Sequence, residues 1–182
     1  MPIPLSDLEL VTLLPDTKEE LATFDCSDED LNDFVRNDCF KYQDQCLSHT
    51  RLARLKADGR IVGFVTLLCD SIVLKTPEKK RLFSFHHTIV QFPALKIGRL
   101  GVHRDAQKTG VGTALLMYSI GVAARLNEEL KIGCRFITVD AYARSVPWYQ
   151  RNGFLFNKEY TKPTRTHPSM RFDLVGGAQP GA

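Results

Sequence analysis

Apolar and polar residues alternate most clearly in the first third of the chain, where the pattern predicts β-strands. Leu8–Leu14 is a short apolar run that ends at Pro15, and we interpret it as an opening strand. Arg51–Ala57 alternates apolar and basic residues, and Ile61–Leu68 is apolar and rich in β-branched residues. The pair Asp58-Gly59 between these runs favours a two-residue turn, because both residue types tolerate positive φ. The two runs therefore predict a β-hairpin.

Helical periodicity occupies the stretch between the opening strand and this hairpin. Ser27 is a suitable N-cap, and the acidic residues Asp28-Glu29-Asp30 after it suit the positive end of a helix. Apolar residues then recur at helical spacing, at Leu31, Phe34 and Val35. We expect one amphipathic helix from Ser27 to about Gln45, with a break near its middle.

The second half of the chain alternates strand-like and helix-like segments. Ile72–Gln91 has no clear period, and a polar loop is expected around Pro77–Arg81. The predicted strands and helices after it are Ala94–Val102 (strand), Gly110–Leu126 (helix), Arg135–Val139 (strand), Ala143–Arg151 (helix), Phe154–Asn157 (strand) and Met170–Leu174 (strand). A helix that links two strands in this way normally makes a right-handed parallel crossover. The sequence therefore predicts an α/β fold, in which a mixed sheet carries helices on both faces.

Length and charge narrow the class of protein only a little. A chain of 182 residues with 43% hydrophobic content can build one ordinary core, so we expect a single domain over residues 1–175 and a frayed tail at 176–182. The formal charge of +3 is weak evidence for a polyanionic partner. The dense basic run Lys79-Lys80-Arg81 is more typical of a solvated loop than of a binding patch.

The cysteines and the termini indicate a reduced, cytoplasmic protein. The cysteines are odd in number and widely spaced, without a Cys-x-x-Cys pair, so neither a disulfide framework nor a zinc site is expected; they are Cys26, Cys39, Cys46, Cys69 and Cys134. No apolar run reaches the ~18 residues of a membrane span. Met1–Pro4 lacks the charged and then apolar pattern of a signal peptide.

The stretch after the strand that ends at Gly101-Val102 has the character of an anion site. Gly110 and Gly112 open a long helix, whose first N–H groups have no intrahelical acceptor and lie at the positive end of its dipole. Glycines let such a backbone approach a phosphate closely. Four side chains could add charge or hydroxyl donors: Arg104, Lys108, Thr109 and Thr113. Neither the P-loop nor the dinucleotide fingerprint fits this spacing, but a purely structural helix start with two glycines remains open.

Two motifs together resemble the GNAT superfamily of N-acetyltransferases. Gln107-x-x-Gly110-x-Gly112 is similar to its Gln/Arg-x-x-Gly-x-Gly/Ala signature, and Tyr149-x-x-x-Gly153-Phe154 is similar to its Tyr-x-x-x-Gly-Phe block. The resemblance implies the GNAT fold, with a mostly antiparallel sheet whose central strands splay apart around acetyl-CoA. It also implies that no metal takes part, because the helix terminus supplies the positive potential.

The same resemblance implies roles for individual residues. The backbone of Leu100, Gly101 and Val102 would pair with the pantetheine arm, and an N–H near Val102 would bind the oxyanion. Tyr149 would donate a proton to the departing thiolate. The pyrophosphate would be bound by the N–H groups from Gln107 to Gly112 together with Thr113, which makes the full set Gln107, Lys108, Thr109, Gly110, Val111, Gly112 and Thr113.

The acceptor amine and the general base stay open at this stage. The strand Lys96–Val102 lacks the carboxylate that many relatives use as base, and it has Arg99 instead; His103 beyond it is a weaker candidate. Phe24–Arg36 is similar to the opening of a GNAT subgroup that includes toxins acetylating aminoacyl-tRNA. The modest charge favours a small amine or a protein N-terminus, while the motif favours tRNA. A non-catalytic acyl-CoA-binding module, a homodimer and, for a toxin, an antitoxin partner are further possibilities.

Overall fold

The computed structural model describes residues 2–83, 89–157 and 167–176, and its strands form one seven-stranded sheet. The strand order is β1-β2-β3-β4-β5-β7-β6. The strands are β1 Leu8–Thr12, β2 His49–Leu55, β3 Ile61–Val73, β4 Gln91–Val102, β5 Phe136–Asp140, β6 Leu155–Phe156 and β7 Ser169–Asp173. The α-helices are α1 Lys18–Leu21, α2 Glu29–Asp33, α3 Cys39–Asp44, α4 Thr76–Leu82, α5 Val111–Glu128 and α6 Val146–Arg151. The prediction of a sheet with intervening helices is confirmed.

The chain divides into two compact units. Unit 1 comprises residues 1–68 and 97–121, and unit 2 comprises residues 69–96 and 122–182. The expectation of one domain over residues 1–175 stays a prediction. The expected tail lies outside the described residues from position 177 onward. Among the described residues, no helix is long and apolar enough to cross a membrane.

The β-hairpin of unit 1 has the predicted partners but a longer turn. β1, β2 and β3 pair antiparallel, with Leu52 of β2 opposite Phe64 of β3. The prediction of a two-residue turn at Asp58-Gly59 was wrong, because the connection runs from the end of β2 at Leu55 to the start of β3 at Ile61. Only Gly59 in this turn has positive φ, at 75°. A register shift at Ala53/Arg54 accompanies the longer connection.

The N-terminal helix of unit 1 is broken, as the sequence predicted. Its α2 and α3 are separated by a π-helical turn, Phe34–Asp38. The N-cap is Asp28 rather than Ser27, since Asp28 Oδ1 accepts from the Leu31 N–H at 3.1 Å. Ser27 has a positive φ of 63° and so cannot occupy the extended N-cap conformation.

Neighbouring residues of β3 show that helices cover both faces of the unit 1 sheet. A Cβ built on Gly63 would lie 3.0 Å from side-chain atoms of both Val111 and Leu115, so α5 packs closely on this face. The next residue, Phe64, faces the opposite side, because side chains alternate along a strand. Its ring centroid lies 5.5 Å from that of Phe24 and 6.4 Å from that of Phe34. Glycine at position 63 therefore lets the start of α5 approach the sheet.

Unit 2 is built on the antiparallel group β5-β7-β6. β7 pairs with both β5 and β6, with Ile137 opposite Phe172 and Leu155 opposite Arg171. A buried cluster of Ile72, Leu74, Phe92, Ala94 and Phe136 forms its core. The expected loop around Pro77–Arg81 was wrong: the basic run lies in α4, where Lys80 and Arg81 are exposed. Arg171 is buried in this unit and forms an ion pair with Glu78 of α4.

Candidate active site

The loop between β4 and α5 is fixed at its beginning by contacts with neighbouring backbone. The His103 N–H donates to the Val62 carbonyl at 2.9 Å, and Arg104–Ala106 then forms one turn of 3-10 helix. The Thr109 hydroxyl donates to the Ala106 carbonyl at 2.6 Å, and the Ile3 N–H donates to the Thr109 carbonyl at 2.8 Å. These bonds set the direction in which the chain enters α5.

The backbone of this loop alternates in handedness just before the helix begins. Lys108 and Gly110 have positive φ values of 62° and 102°. α5 begins at Val111, so the N–H groups of its first turn have no intrahelical acceptor, and the dipole makes that end positive. Gly110 and Thr113 are exposed there, which leaves the helix start open to an anion. These N–H groups could receive an anion such as a pyrophosphate, and that role of the loop stays a prediction.

The side chain of Gln107 serves a structural purpose that sequence reasoning missed. Its Nε2 donates to the Cys26 carbonyl at 2.9 Å and to the Val102 carbonyl at 3.2 Å. The Gln107 N–H approaches the Arg104 carbonyl at 3.4 Å. Gln107 therefore joins the end of β4 to the N-terminal segment, and its role in binding phosphate stays a prediction.

The Phe24-Asp25-Cys26 segment completes this attachment. The Asp25 carbonyl accepts from the Arg104 N–H, and Asp25 Oδ2 accepts from Arg104 Nη1, both at 2.9 Å. Asn32, which is buried, accepts from the Cys26 N–H at 2.9 Å and donates to Asp25 Oδ1 at 3.1 Å. Hydrogen bonds from the Ser27 N–H and then from Asn32 hold the pKa of Asp25 below its usual value. We call this set (Asp25, Cys26, Asn32, Arg104 and Gln107) the loop brace.

The predicted pantetheine strand is packed tightly against its neighbour. A Cβ built on Gly101 would lie 2.5 Å from Cε1 of Phe64, so no other residue fits at position 101 without displacing that ring. Leu100 and Val102 flank Gly101 at the end of β4 and are partly exposed. Their pairing with the pantetheine arm stays a prediction.

Tyr149 lies in unit 2, on the short helix α6. Gly153 has a φ of 84° and ends this helix, which allows the Phe154 N–H to donate back to the Tyr149 carbonyl at 3.0 Å. The Tyr149 ring packs edge-on between Trp148, at 4.8 Å, and Phe154, at 5.1 Å. Tyr149 is only 5% exposed, and burial raises the pKa of its hydroxyl above the ordinary value, so this group is protonated at neutral pH. The Tyr-x-x-x-Gly-Phe spacing therefore ends α6 two residues after Tyr149 and places Phe154 against its ring.

The end of β4 itself carries no carboxylate, since the residues from Lys96 to Val102 include neither Asp nor Glu. His103 is largely enclosed: its ring lies 5.6 Å from that of Phe24, and its Nδ1 accepts from the Asp105 N–H at 3.3 Å. Arg99 stacks on Phe34, with its guanidinium carbon 5.3 Å from the ring centroid. In the described part of the chain, no cluster of His, Cys, Asp and Glu could hold a metal ion.

These features define the class of protein. Residues 48–155, more than half of the 182-residue chain, match the family described as "Acetyltransferase (GNAT) domain". The chain belongs to this family and is an N-acetyltransferase. The interpretation as an enzyme is therefore favoured over the alternative of a non-catalytic acyl-CoA-binding module. Family membership supports acetyl-CoA as the co-substrate.

Several solved structures share the whole fold at low sequence identity. A KacT mutant has a TM-score of 0.77 at 16% identity, over 93% of this chain and 96% of that one. AtaT complexed with acetyl-methionyl-tRNAfMet has a TM-score of 0.76 at 19% identity, over 93% and 96%. AtaTR bound with acetyl-CoA has a TM-score of 0.73 at 20% identity, over 94% and 96%. No curated protein sequence matches this chain.

Proposed function

We propose that this enzyme transfers an acetyl group from acetyl-CoA to the α-amine of an aminoacyl-tRNA. The observation that carries the proposal is the composition of β4, whose residues from Lys96 to Val102 include no carboxylate to deprotonate an amine. The fold shared with AtaT, which was solved in complex with acetyl-methionyl-tRNAfMet, supports the same acceptor class.

The chemistry of the amine explains why a missing base matters. The attacking nitrogen must be neutral, and at pH 7 a lysine amine of pKa ~10.4 is neutral in only about one molecule in several thousand. An α-amine of pKa ~8 is neutral in about one molecule in ten, and an ester at the neighbouring carbonyl lowers the pKa further. An acceptor of this kind needs little help from the protein, so a strand β4 without a carboxylate from Lys96 to Val102 is consistent with aminoacyl-tRNA.

The proposed binding of acetyl-CoA uses the loop and the end of β4. The N–H groups from Lys108 to Gly112 would surround the pyrophosphate, with the Thr113 hydroxyl beside them. The backbone of Leu100, Gly101 and Val102 would pair with the pantetheine amides. The loop brace supports this arrangement, because Arg104 attaches the loop to Asp25 and Gln107 attaches it to Cys26. Acetyl-CoA supplies the thioester, and the protein supplies fixed N–H donors.

The reaction proposed is direct transfer. The amine nitrogen forms a bond to the thioester carbonyl carbon, and the resulting oxyanion accepts a hydrogen bond from an N–H near Val102. The carbon–sulfur bond then breaks, and Tyr149 donates a proton to the departing sulfur. The nitrogen of the tetrahedral adduct loses one proton to solvent, and Tyr149 regains one from solvent, so the products are a neutral amide and CoA thiol and the enzyme is unchanged.

The experiment that tests the proposal follows acetyl transfer to a set of acceptors. The purified protein is incubated with labelled acetyl-CoA and with aminoacylated tRNA, the same tRNA without its amino acid, lysine peptides or small amines. We expect label on aminoacylated tRNA alone, and alkaline hydrolysis of the ester should release it as an acetylated amino acid. Label on peptides or amines in preference to the charged tRNA would refute the acceptor assignment.

The similarity to toxins extends the proposal to growth. Expression of the wild-type chain should arrest bacterial growth, and Tyr149→Phe should relieve the arrest at equal protein levels. AtaR is the antitoxin partner of AtaT in solved complexes, and a corresponding partner should copurify with this chain if it acts as a toxin. The homodimer and the cytoplasmic location stay predictions, for which sedimentation and cell fractionation are the measurements.

A further inference from the structure

Asn32 is a buried polar residue of α2, and apolar packing does not account for it. It is only 2% exposed and lies beside the buried residue Leu31. A buried amide is costly unless its donors and its acceptor are paired. Both halves of this amide are paired, because Oδ1 accepts from the Cys26 N–H at 2.9 Å and Nδ2 donates to Asp25 Oδ1 at 3.1 Å. The side chain therefore holds one conformation of the chain six to seven residues before it.

The turn that Asn32 holds contains an unfavourable backbone conformation. Ser27 has a positive φ of 63°, which residues other than glycine adopt rarely and at a cost. The Ser27 N–H donates to Asp25 Oδ1 at 2.8 Å, the same oxygen that accepts from Asn32. Such a conformation persists only where its surroundings hold it. Without the Asn32 amide, we expect residues 25–27 to sample other conformations.

Both residues that Asn32 holds are bonded to the loop between β4 and α5. The N–H and Nη1 of Arg104 donate to the carbonyl and to Oδ2 of Asp25, both at 2.9 Å. Nε2 of Gln107 donates to the Cys26 carbonyl at 2.9 Å. Asn32 is thus connected to the loop by two links, one at each end of the 3-10 turn in that loop.

We propose that Asn32 is a positioning residue for acetyl-CoA, which holds Asp25 and Cys26 so that the loop has its binding conformation before the cofactor arrives. This inference rests on the proposed function, since it takes the loop as the pyrophosphate site. A loop that is ordered beforehand loses less conformational freedom on binding, so the affinity rises without a new contact to the ligand. Asn32 should therefore act on the affinity for acetyl-CoA and not on the chemical step.

The first test replaces Asn32 by alanine. We expect Asn32→Ala to raise the Kd for acetyl-CoA by about tenfold in calorimetry, and to change kcat at saturating acetyl-CoA by less than about threefold. Asn127→Ala is the matched control, because Asn127 also accepts from a cysteine N–H at 2.9 Å and donates to the carbonyl of the same residue, Cys134, at 2.7 Å. It lies near the C-terminal end of α5, so its loss should leave the Kd unchanged.

Asn32→Asp supplies a measurement that a merely structural role would not move. The introduced carboxylate cannot donate to Asp25 Oδ1 and repels it, whereas its protonated form can donate again. Two carboxylates in contact share one proton, so the pair binds it well above the ordinary pKa of ~4. The charged groups around the pair are Asp28, which favours the shared proton, and Arg36 and Arg104, which oppose it. Protonation should therefore restore the turn as the pH falls.

The expected result is a ratio of two Kd values that depends on pH. The Kd of Asn32→Asp divided by that of the wild type should be about tenfold at pH ~8 and at least about threefold smaller at pH ~5.5. Comparison at each pH removes the titration of the acetyl-CoA phosphates from the ratio. The Cys26 thiol, 3.2 Å from Asn32 Oδ1, stays neutral throughout, because burial raises its pKa.

A double variant tests whether Asn32 acts through the link to Gln107. Asn32→Ala loosens the Cys26 carbonyl, and Gln107→Ala removes the donor that binds it. Changes at coupled sites are not additive in free energy. We expect the double variant to raise the Kd by at least about threefold less than the product of the two single effects.

The outcomes separate this inference from the proposed function. If Gly110→Asp leaves the affinity for acetyl-CoA unchanged, the loop is not the pyrophosphate site and the proposed binding arrangement fails together with the inference. If Gly110→Asp weakens binding while Asn32→Ala does so no more than Asn127→Ala, the Asn32 inference is wrong and the arrangement stands. A Kd ratio for Asn32→Asp that is independent of pH, or a double variant equal to the product of the single effects, would likewise overturn it.

Two features keep the test decisive. If Asn32→Ala does not fold, the pH series of Asn32→Asp decides alone, since the same protein is compared with itself at each pH. The affinity measurements need no acceptor, so they hold whichever amine the enzyme uses.

Discussion

Tyr149→Phe is the substitution that tests the proposed mechanism most directly. It removes one oxygen atom and keeps the ring that packs between Trp148 and Phe154. We therefore expect little change in the folding of unit 2 or in the affinity for acetyl-CoA, and the loss should fall on kcat.

The size of that loss follows from the environment of the hydroxyl. General acid catalysis typically contributes ~10²–10⁴-fold to a rate. Burial raises the pKa of Tyr149, which makes it a weaker donor to a thiolate whose own conjugate acid has a pKa near ~8.5. Proton transfer from Tyr149 to sulfur is then favourable mainly when the nitrogen of the tetrahedral adduct loses its own proton in the same step. We expect a decrease of about 10²–10³ in kcat, which corresponds to about 3–4 kcal/mol in the barrier.

The assay measures kcat and KM for aminoacyl-tRNA at saturating acetyl-CoA, with calorimetry for acetyl-CoA binding. Tyr118→Phe is the matched control, because it removes the hydroxyl that accepts from Arg51 Nε on another part of the molecule. Retention of full turnover by Tyr149→Phe would show that the ring only packs, and the acid role would have to be abandoned. An equal loss in Tyr118→Phe would point to general damage instead.

The raised pKa also fixes the sign of a pH effect on stability. A tyrosine whose pKa is higher in the folded than in the unfolded state stabilises the fold fully below the unfolded pKa of ~10, and this contribution is lost as pH rises beyond it. The wild type should therefore lose stability above pH ~10 more steeply than Tyr149→Phe. Parallel denaturation curves for the two proteins at pH 9 and about 11 make the comparison, and identical pH dependence would contradict the burial argument.

Three further predictions concern the loop and the RNA. Gly110→Asp places a charged side chain at a φ of 102° where phosphate is proposed to bind, and should weaken acetyl-CoA binding by about a hundredfold or more in calorimetry. Gln107→Ala removes both bonds from Nε2, and should raise KM for acetyl-CoA by about tenfold without a comparable loss in kcat. The double change of Lys80 and Arg81, which are exposed on α4, to Ala should reduce the salt dependence of tRNA binding in filter assays, and an unchanged salt slope would show that α4 does not contact RNA.

Local signals were sufficient to predict the helix and the turn on which the proposed cofactor site is built. The period of α5 and the two glycines before and within its first turn act over a few residues, so the sequence indicated both the helix and the open N–H groups at its start. Tyr149 and Gly153 were found in the same way, because the glycine ends the helix that positions the tyrosine.

Contacts between distant parts of the chain could not be predicted in this way. Gln107 and Cys26 are 81 residues apart, and nothing local to either residue indicates that one bonds to the other. The prediction of a two-residue turn between β2 and β3 was wrong for a related reason. The ends of the turn depend on how the two strands pair, and that pairing includes a register shift at Ala53/Arg54. The cap at Asp28 was missed because Ser27 adopts a positive φ while its N–H bonds to Asp25.

The loop brace gives the N-terminal segment a part in the proposed cofactor site. Asp25 and Cys26 fix the loop proposed to bind pyrophosphate. Arg36 attaches the π-helical turn to the same segment, because its side chain donates twice to the Phe24 carbonyl, at 3.0 and 2.6 Å. A displacement of this segment would therefore disturb the loop, even though the segment supplies none of the donors proposed for the cofactor.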